Sequence, residues 1–203
     1  MSRSALWALL GRFRRDDRAV AAVEFTIIMP FLLLLYFGSM EASMLFTADK
    51  RVNTVSATVG DLVAQWDPAD GAIPQATMDT YFASVTGIMT PYSTTGLKQV
   101  VSLVFVKSDG TTNVLWSIQN GGGTVRTVGQ PFAPLATTSM TDQVSRGGCV
   151  VVAETSYSYK PLFGQVFTTT VNLGHTNYFV PRFGGTGVIQ LWSDTPAATA
   201  CTA

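Results

Sequence analysis

The sequence predicts an α+β fold in which a long N-terminal transmembrane and stem helix packs on a small antiparallel sheet. Three observations lead there. A single apolar run, FTIIMPFLLLLYFGSMEASMLF, extends from Phe25 to Phe46. It passes directly into a stripe of apolar residues at helical spacing, Val52, Val55, Val59, Leu62, Val63 and Trp66. Beyond about Gln99 the pattern changes to short β-branched runs separated by Gly, Asp, Asn and Pro, the signature of strands and turns.

Composition sets the boundaries of this reading. Of 203 residues, 47% are hydrophobic and only 13% charged, which is apolar and charge-poor for a soluble chain of this size. Thirteen basic residues balance thirteen acidic ones, so no net field draws the chain to nucleic acid. The basic residues are nevertheless uneven: Arg3, Arg12, Arg14, Arg15 and Arg18 crowd the first eighteen positions, against only Asp16 and Asp17. Lys50 and Arg51 alone follow the apolar run closely. That asymmetry orients a single membrane segment with its N-terminus in the cytoplasm. The organisation expected is a basic leader over 1–19, a transmembrane helix over 20–46, an amphipathic stem over 47–66 and an exported α+β domain over 67–203.

The membrane helix is long enough for one crossing: about 22 residues at about 1.5 Å each span the ~30 Å hydrocarbon core. A cleavable export signal has a shorter apolar core and a small-residue cleavage motif, which Glu41-Ala42-Ser43 matches poorly. Glu24 stands at the entrance of the run, where it either sits solvated at headgroup depth or meets a partner charge. Glu41 falls near the far interface or against a protein partner. Pro30, inside the helix, removes a backbone donor, so a kink, a locally melted turn or a point of flexibility is expected there.

The stem should stop at Asp67-Pro68, because proline disfavours helical geometry in the residue before it. A membrane anchor joined to an ordinary amphipathic core helix gives the same periodicity. A second helix is expected from Pro74 to Met89, with Met78, Tyr81, Phe82, Val85 and Met89 on one face and Pro91 as its stop. Strands Gln99–Lys107 and Thr112–Ser117 flank Ser108-Asp109-Gly110-Thr111, a hairpin signal. Gly121-Gly122-Gly123 and the 131–141 region read as a long exposed loop. Strands resume at Cys149–Tyr159 and Val166–Val171, the last extending toward Val180. About four antiparallel strands result.

The residues Asp17-Arg18-Ala19-Val20-Ala21-Ala22-Val23-Glu24-Phe25, followed by the apolar run with Pro30, resemble the N-terminus of the TadE-like family of the tight adherence (Flp) pilus system. Members of that family are minor pilins or pseudopilins. The resemblance implies a prepilin-peptidase cut between Ala19 and Val20, with Ala19 where Gly is usual. Glu24 then becomes the fifth mature residue and Phe25 fills the following aromatic position. Met89-Thr90-Pro91-Tyr92, the segment 150–161 with Glu154, Tyr157, Tyr159 and Pro161, and Pro181-Arg182 also look like recurring features of the family. Physically, a new amine at Val20 and a carboxylate one turn later suit charge pairing between adjacent subunits, which sets axial register.

The two cysteines, Cys149 and Cys201, are too far apart for zinc or CxxC chemistry. Either they form one disulfide on the oxidising side of the membrane, or Cys149 is a buried thiol at the head of an apolar run. The lone histidine, His175, reads as a surface or structural residue, and Gly184-Gly185-Thr186-Gly187 as a turn. No catalytic motif appears, and Asp67, Asp70 and Asp79 lack calcium-loop spacing. No enzyme activity, cofactor, metal, nucleic acid or small-molecule substrate is therefore expected. The partners expected are the inner membrane, prepilin peptidase, other pilins or pseudopilins, and Tad assembly proteins. The competing expectations are a membrane-anchored exported binding domain that never enters a filament, and a secreted protein released by signal peptidase.

Overall fold

A computed structural model describes residues 17–135, 147–162, 169–183 and 187–192, with side chains from Val20 onward. The leader arginines up to residue 15, the 136–141 part of the expected loop, residues 166–168 of the expected last strand, 184–186 and Cys201 lie outside the described residues.

Helix α1 is unbroken from Asp17 to Ala64. It continues through Pro30, so no melted turn forms there. The proline leaves the Thr26 carbonyl without its donor, while the Thr26 hydroxyl donates to Ala22 O at 2.7 Å. At the other end the helix tightens, with Trp66 N–H donating to Val63 O rather than four residues back. Asp67 then caps a 3-10 turn over Pro68–Asp70, accepting from Ala69 N–H at 2.9 Å. The Ala64 carbonyl is satisfied by Arg182 N–H at 2.9 Å.

The chain divides into two compact units, Met1–Leu45 with Pro161–Thr169, and Phe46–Lys160 with Thr170–Ala203. The second holds the rest of the architecture. The expected second helix is two helices, α2 (Gln75–Ala83) and α3 (Val85–Met89). Pro74 caps α2, and Ser84, whose hydroxyl donates to Tyr81 O at 2.7 Å, divides the two. This local bond competes with helix continuation. Met78, Phe82, Val85 and Met89 are buried as expected.

Four strands follow: β1 (Leu97–Val106), β2 (Thr112–Asn120), β3 (Gly148–Tyr159) and β4 (Val171–Phe179). All neighbours are antiparallel, in the order β2-β1-β3-β4. The β1–β2 turn forms as its residues predict: Gly110 takes φ +85°, and Asp109 accepts from Thr111 N–H at 2.8 Å and from its hydroxyl at 2.7 Å. Strand β4 starts at Val171, after residues 169 and 170, which lie outside it.

Period-2 alternation gives the sheet two faces. One, carrying Val101, Leu103, Val151 and Ala153, packs on the 46–64 part of α1, where Val52, Val55, Val59 and Val63 are buried. Ser56 Oγ donates to Ala153 O at 2.6 Å. Gly60 lies against the Phe179 ring and Ala153 so closely that a methyl group there would overlap both. The opposite face has its own small core of Val104, Val106, Val114, Val150 and Val152, closed by Phe132 and Leu135 with Tyr178 at its margin. Phe132 and Leu135 correct the expectation of an exposed loop over 131–141. Two apolar side chains among prolines and small polar residues plug the sheet through a 3-10 turn, Ala133–Leu135.

Candidate interaction surfaces

Within the first unit, α1 is exposed on every side from Val20 to Tyr36. Val20, Val23, Phe25, Ile27, Phe31 and Leu34 are all more than half exposed, and the most apolar stretch of the helix is wholly unburied. A helix that is apolar all round and covered by nothing in its own chain needs a nonaqueous surround. It is the one helix among the described residues long and apolar enough to cross a membrane.

Val20 and Glu24, four residues apart on one helix, share a face. Glu24 is exposed and, among the described residues, has no hydrogen-bond or ion-pair partner. Phe25 is 61% exposed on the adjoining face. Ala19 lies within the helix, but its side chain is outside the described set. Glu41 behaves in the opposite way: it is only 1% exposed and engaged within the chain, so it does not face an external partner.

The second unit brings together residues that sequence spacing keeps apart. His175 Nε2 meets Asp49 Oδ1 at 2.7 Å, and Asn177 donates to Asn53 at 3.0 Å, tying β4 to α1 along a common direction. A carboxylate thus stands beside His175, which its sequence surroundings do not indicate. Arg182 joins Asp61 at 2.8 Å on the same side. Arg51 donates to Ile88 O and lies 6.0 Å from the Tyr92 ring, which meets Tyr159 edge-on at 6.1 Å.

On the sheet face away from α1, Arg126 makes a two-point ion pair with Glu154, through Nε to Oε2 at 2.8 Å and through Nη2 to Oε1. Its backbone N–H donates to Ser117 Oγ at 2.9 Å, and its guanidinium lies 5.1 Å from the Phe132 ring centre. The hydrogen bonds to Glu154 hold the guanidinium pKa above its usual value, against the opposing effect of partial burial. Burial, aided by the Glu154 charge, pushes the Tyr178 phenol up. The pair floors an open groove of about 350 Å³ lined also by Lys98, Thr124, Ser156, Gly174 and Thr176. Sequence reasoning missed this groove: the alternation Val150, Val152, Glu154 puts Glu154 on that face, but nothing local marks Arg126 as its partner. Among the described residues no three His, Cys, Asp or Glu side chains gather to hold a metal.

Cys149 is buried near the start of β3 and is not a free thiol. Residues 89–92, 150–160 and 181–182 fall in the second unit and Pro161 in the first. No curated protein and no solved structure matches the chain. Residues 19–60 match the family model described as TadE-like protein. The match ends short of the sheet and takes in Ala19, Val20, Glu24, Phe25 and the whole apolar run, so the similarity to the TadE-like family lies in this helix.

Proposed function

We propose that the chain is a minor pilin or pseudopilin-like component of Tad-type pilus assembly, working through contacts between helices and subunits rather than by catalysis. Its α1 crosses the inner membrane once, with the leader in the cytoplasm and the sheet domain outside. Prepilin peptidase removes the leader between Ala19 and Val20. The new amine and Glu24 then pair with their counterparts on neighbouring pilins or pseudopilins, and Phe25 packs beside them.

The observation that carries this reading is Glu24, exposed and without a partner among the described residues, at the head of an all-round apolar helix inside the segment that matches the TadE-like family. An isolated carboxylate near lipid is costly, and pairing with a neighbour's cation removes that cost while fixing register. The Arg-rich leader supports the orientation. Burial of Cys149 and its lack of a free thiol support a Cys149–Cys201 bridge in the oxidising compartment.

Mass spectrometry of the protein from cells with and without prepilin peptidase tests processing. Val20 as first residue only when the peptidase is present is expected; an intact leader in both refutes pilin-type maturation. Glu24→Ala should leave membrane insertion unchanged and reduce pilus number, and normal piliation in that variant removes the pairing role.

A further inference from the structure

The two edges of the sheet are treated differently. On β2 the pairing with β1 shifts between Leu103 and Val104, a bulge that twists the strand. Its outer side is also sealed, with Val114 N–H donating to Gln130 O at 3.0 Å and Gly129 N–H donating to Val114 O at 2.9 Å. Trp116 is further pinned by its indole N–H on Ile189 O at 2.7 Å. Among the described residues the other edge, β4, has none of these devices. Its pairing with β3 is uninterrupted from Val171 to Phe179, and the strand contains no proline, lysine, arginine or acidic residue. Among the described residues no backbone hydrogen bond reaches it from the side away from β3. An open, regular edge of this length is a template for another strand.

The groove ends at this edge. Lys98, Ser156 and Gly174 are in register across β1, β3 and β4, so they form one row on the groove face. A strand added beside β4 would carry that row one position further. Strands lie about 4.8 Å apart, which puts its backbone roughly 14 Å from that of Lys98. Gly174 and Ser156 between them leave room for a long side chain to lie across the sheet. What it would meet is cationic: Lys98 is exposed and has no ion-pair partner among the described residues, and Arg126 commits only Nε and Nη2 to Glu154. Among the described residues two cations face one anion, so the groove has room for one more carboxylate.

We propose that β4 is a docking edge for an extended segment of another protein, which adds as a further strand and places an acidic side chain over Gly174 toward Lys98. Main-chain bonds along β4 supply affinity, and the groove selects the side chain.

The test uses the full chain in detergent micelles and a fluorescein-labelled peptide alternating Thr and Val with a central Glu, compared by anisotropy with peptides carrying central Lys or Ala. The Glu peptide should bind about tenfold more tightly than either. Hydrogen exchange should slow at alternate amides of β4 and stay unchanged on β2. Lys98→Glu should transfer the preference to the Lys peptide. Gly174→Leu should weaken all three without changing the thermal midpoint, because a Cβ there meets only Thr155 O, at 3.9 Å. Equal affinities for the three peptides, or binding without protection of β4, overturn the proposal. So does protection of β4 that rises with protein concentration in the absence of peptide, since the occupant would then be a second copy.

Discussion

Gly60 is where α1 and the sheet come closest, and its replacement by alanine should destabilise the second unit although alanine is the better helix former. A methyl at Gly60 would lie 2.5 Å from Phe179 Cε2 and 2.9 Å from Ala153 Cβ. The phenylalanine ring can swing aside; Ala153, in the middle of a strand paired on both sides, cannot. Helix propensity favours alanine by about 1 kcal/mol. Overpacking a close contact costs about 1–3 kcal/mol, and two simultaneous overlaps belong to the upper part of that range. The net expectation is a loss of about 1–2 kcal/mol, or roughly 2–8 °C in thermal midpoint for a chain of this size. Gly87→Ala in α3 is the control, since a Cβ there meets nothing within 4 Å. It should be neutral or stabilising by up to about 1 kcal/mol. Circular dichroism melts of both variants in the same detergent decide the matter. A midpoint for Gly60→Ala at or above that of Gly87→Ala refutes the close-packing argument. Adding Ala153→Gly to Gly60→Ala should recover part of the loss, because the two positions share one contact.

Trp116→Phe removes the donor to Ile189 O and should cost about 1–3 kcal/mol by orphaning a buried carbonyl, read from the shift in urea midpoint. Reduction of the proposed Cys149–Cys201 bridge should lower the thermal midpoint, since a closed loop of about 50 residues corresponds to about 4 kcal/mol of chain entropy. Thiol titration of the unreduced, denatured protein should find no free cysteine. The Asp109 carboxyl is held below its ordinary value, chiefly by the Thr111 hydroxyl and then by the Thr111 amide. A depressed folded-state pKa means that the turn's contribution is complete above the unfolded value and is lost as pH falls through the lower folded one. NMR titration of the Thr111 amide should therefore give a midpoint below that of an unperturbed aspartate, and a midpoint at or above it contradicts the turn geometry. Glu154→Gln should loosen Arg126 from the sheet, seen as faster amide exchange at Arg126 while the β1–β3 amides stay protected.

What could be read from the sequence was whatever local chemistry decides. The all-round apolar run and the Val52–Val63 stripe follow one helical period, and no β pattern competes with them. Asp109 and Gly110 form their turn with partners no more than two or three residues away. Failures came where tertiary packing decides. Phe132 and Leu135 look like loop residues because Pro131, Pro134 and Gly129 punctuate them, yet the sheet's second face needs them as its cover. Ser84 divides one expected helix into two through a side-chain bond that periodicity does not register. The groove was invisible because Arg126 and Glu154 are 28 positions apart, and register alone aligns Lys98 with Gly174.

The two carboxylates of the apolar stretch show how burial separates an internal role from an external one. Both Glu24 and Glu41 interrupt the same helix, and hydropathy treats them alike. Glu41 is 1% exposed and engaged within the chain, so its cost of burial is met locally, and its removal should be felt as a loss of folded stability. Glu24 is open and has no partner among the described residues, so none of them gains stability from it. Glu24→Gln should therefore leave the melt of the isolated protein unchanged and alter only its association with other subunits. Glu41→Gln should lower the melt even in monodisperse detergent. Should the two substitutions act alike on the isolated protein, the division of roles between them fails, and with it the reason for assigning Glu24 to a neighbour.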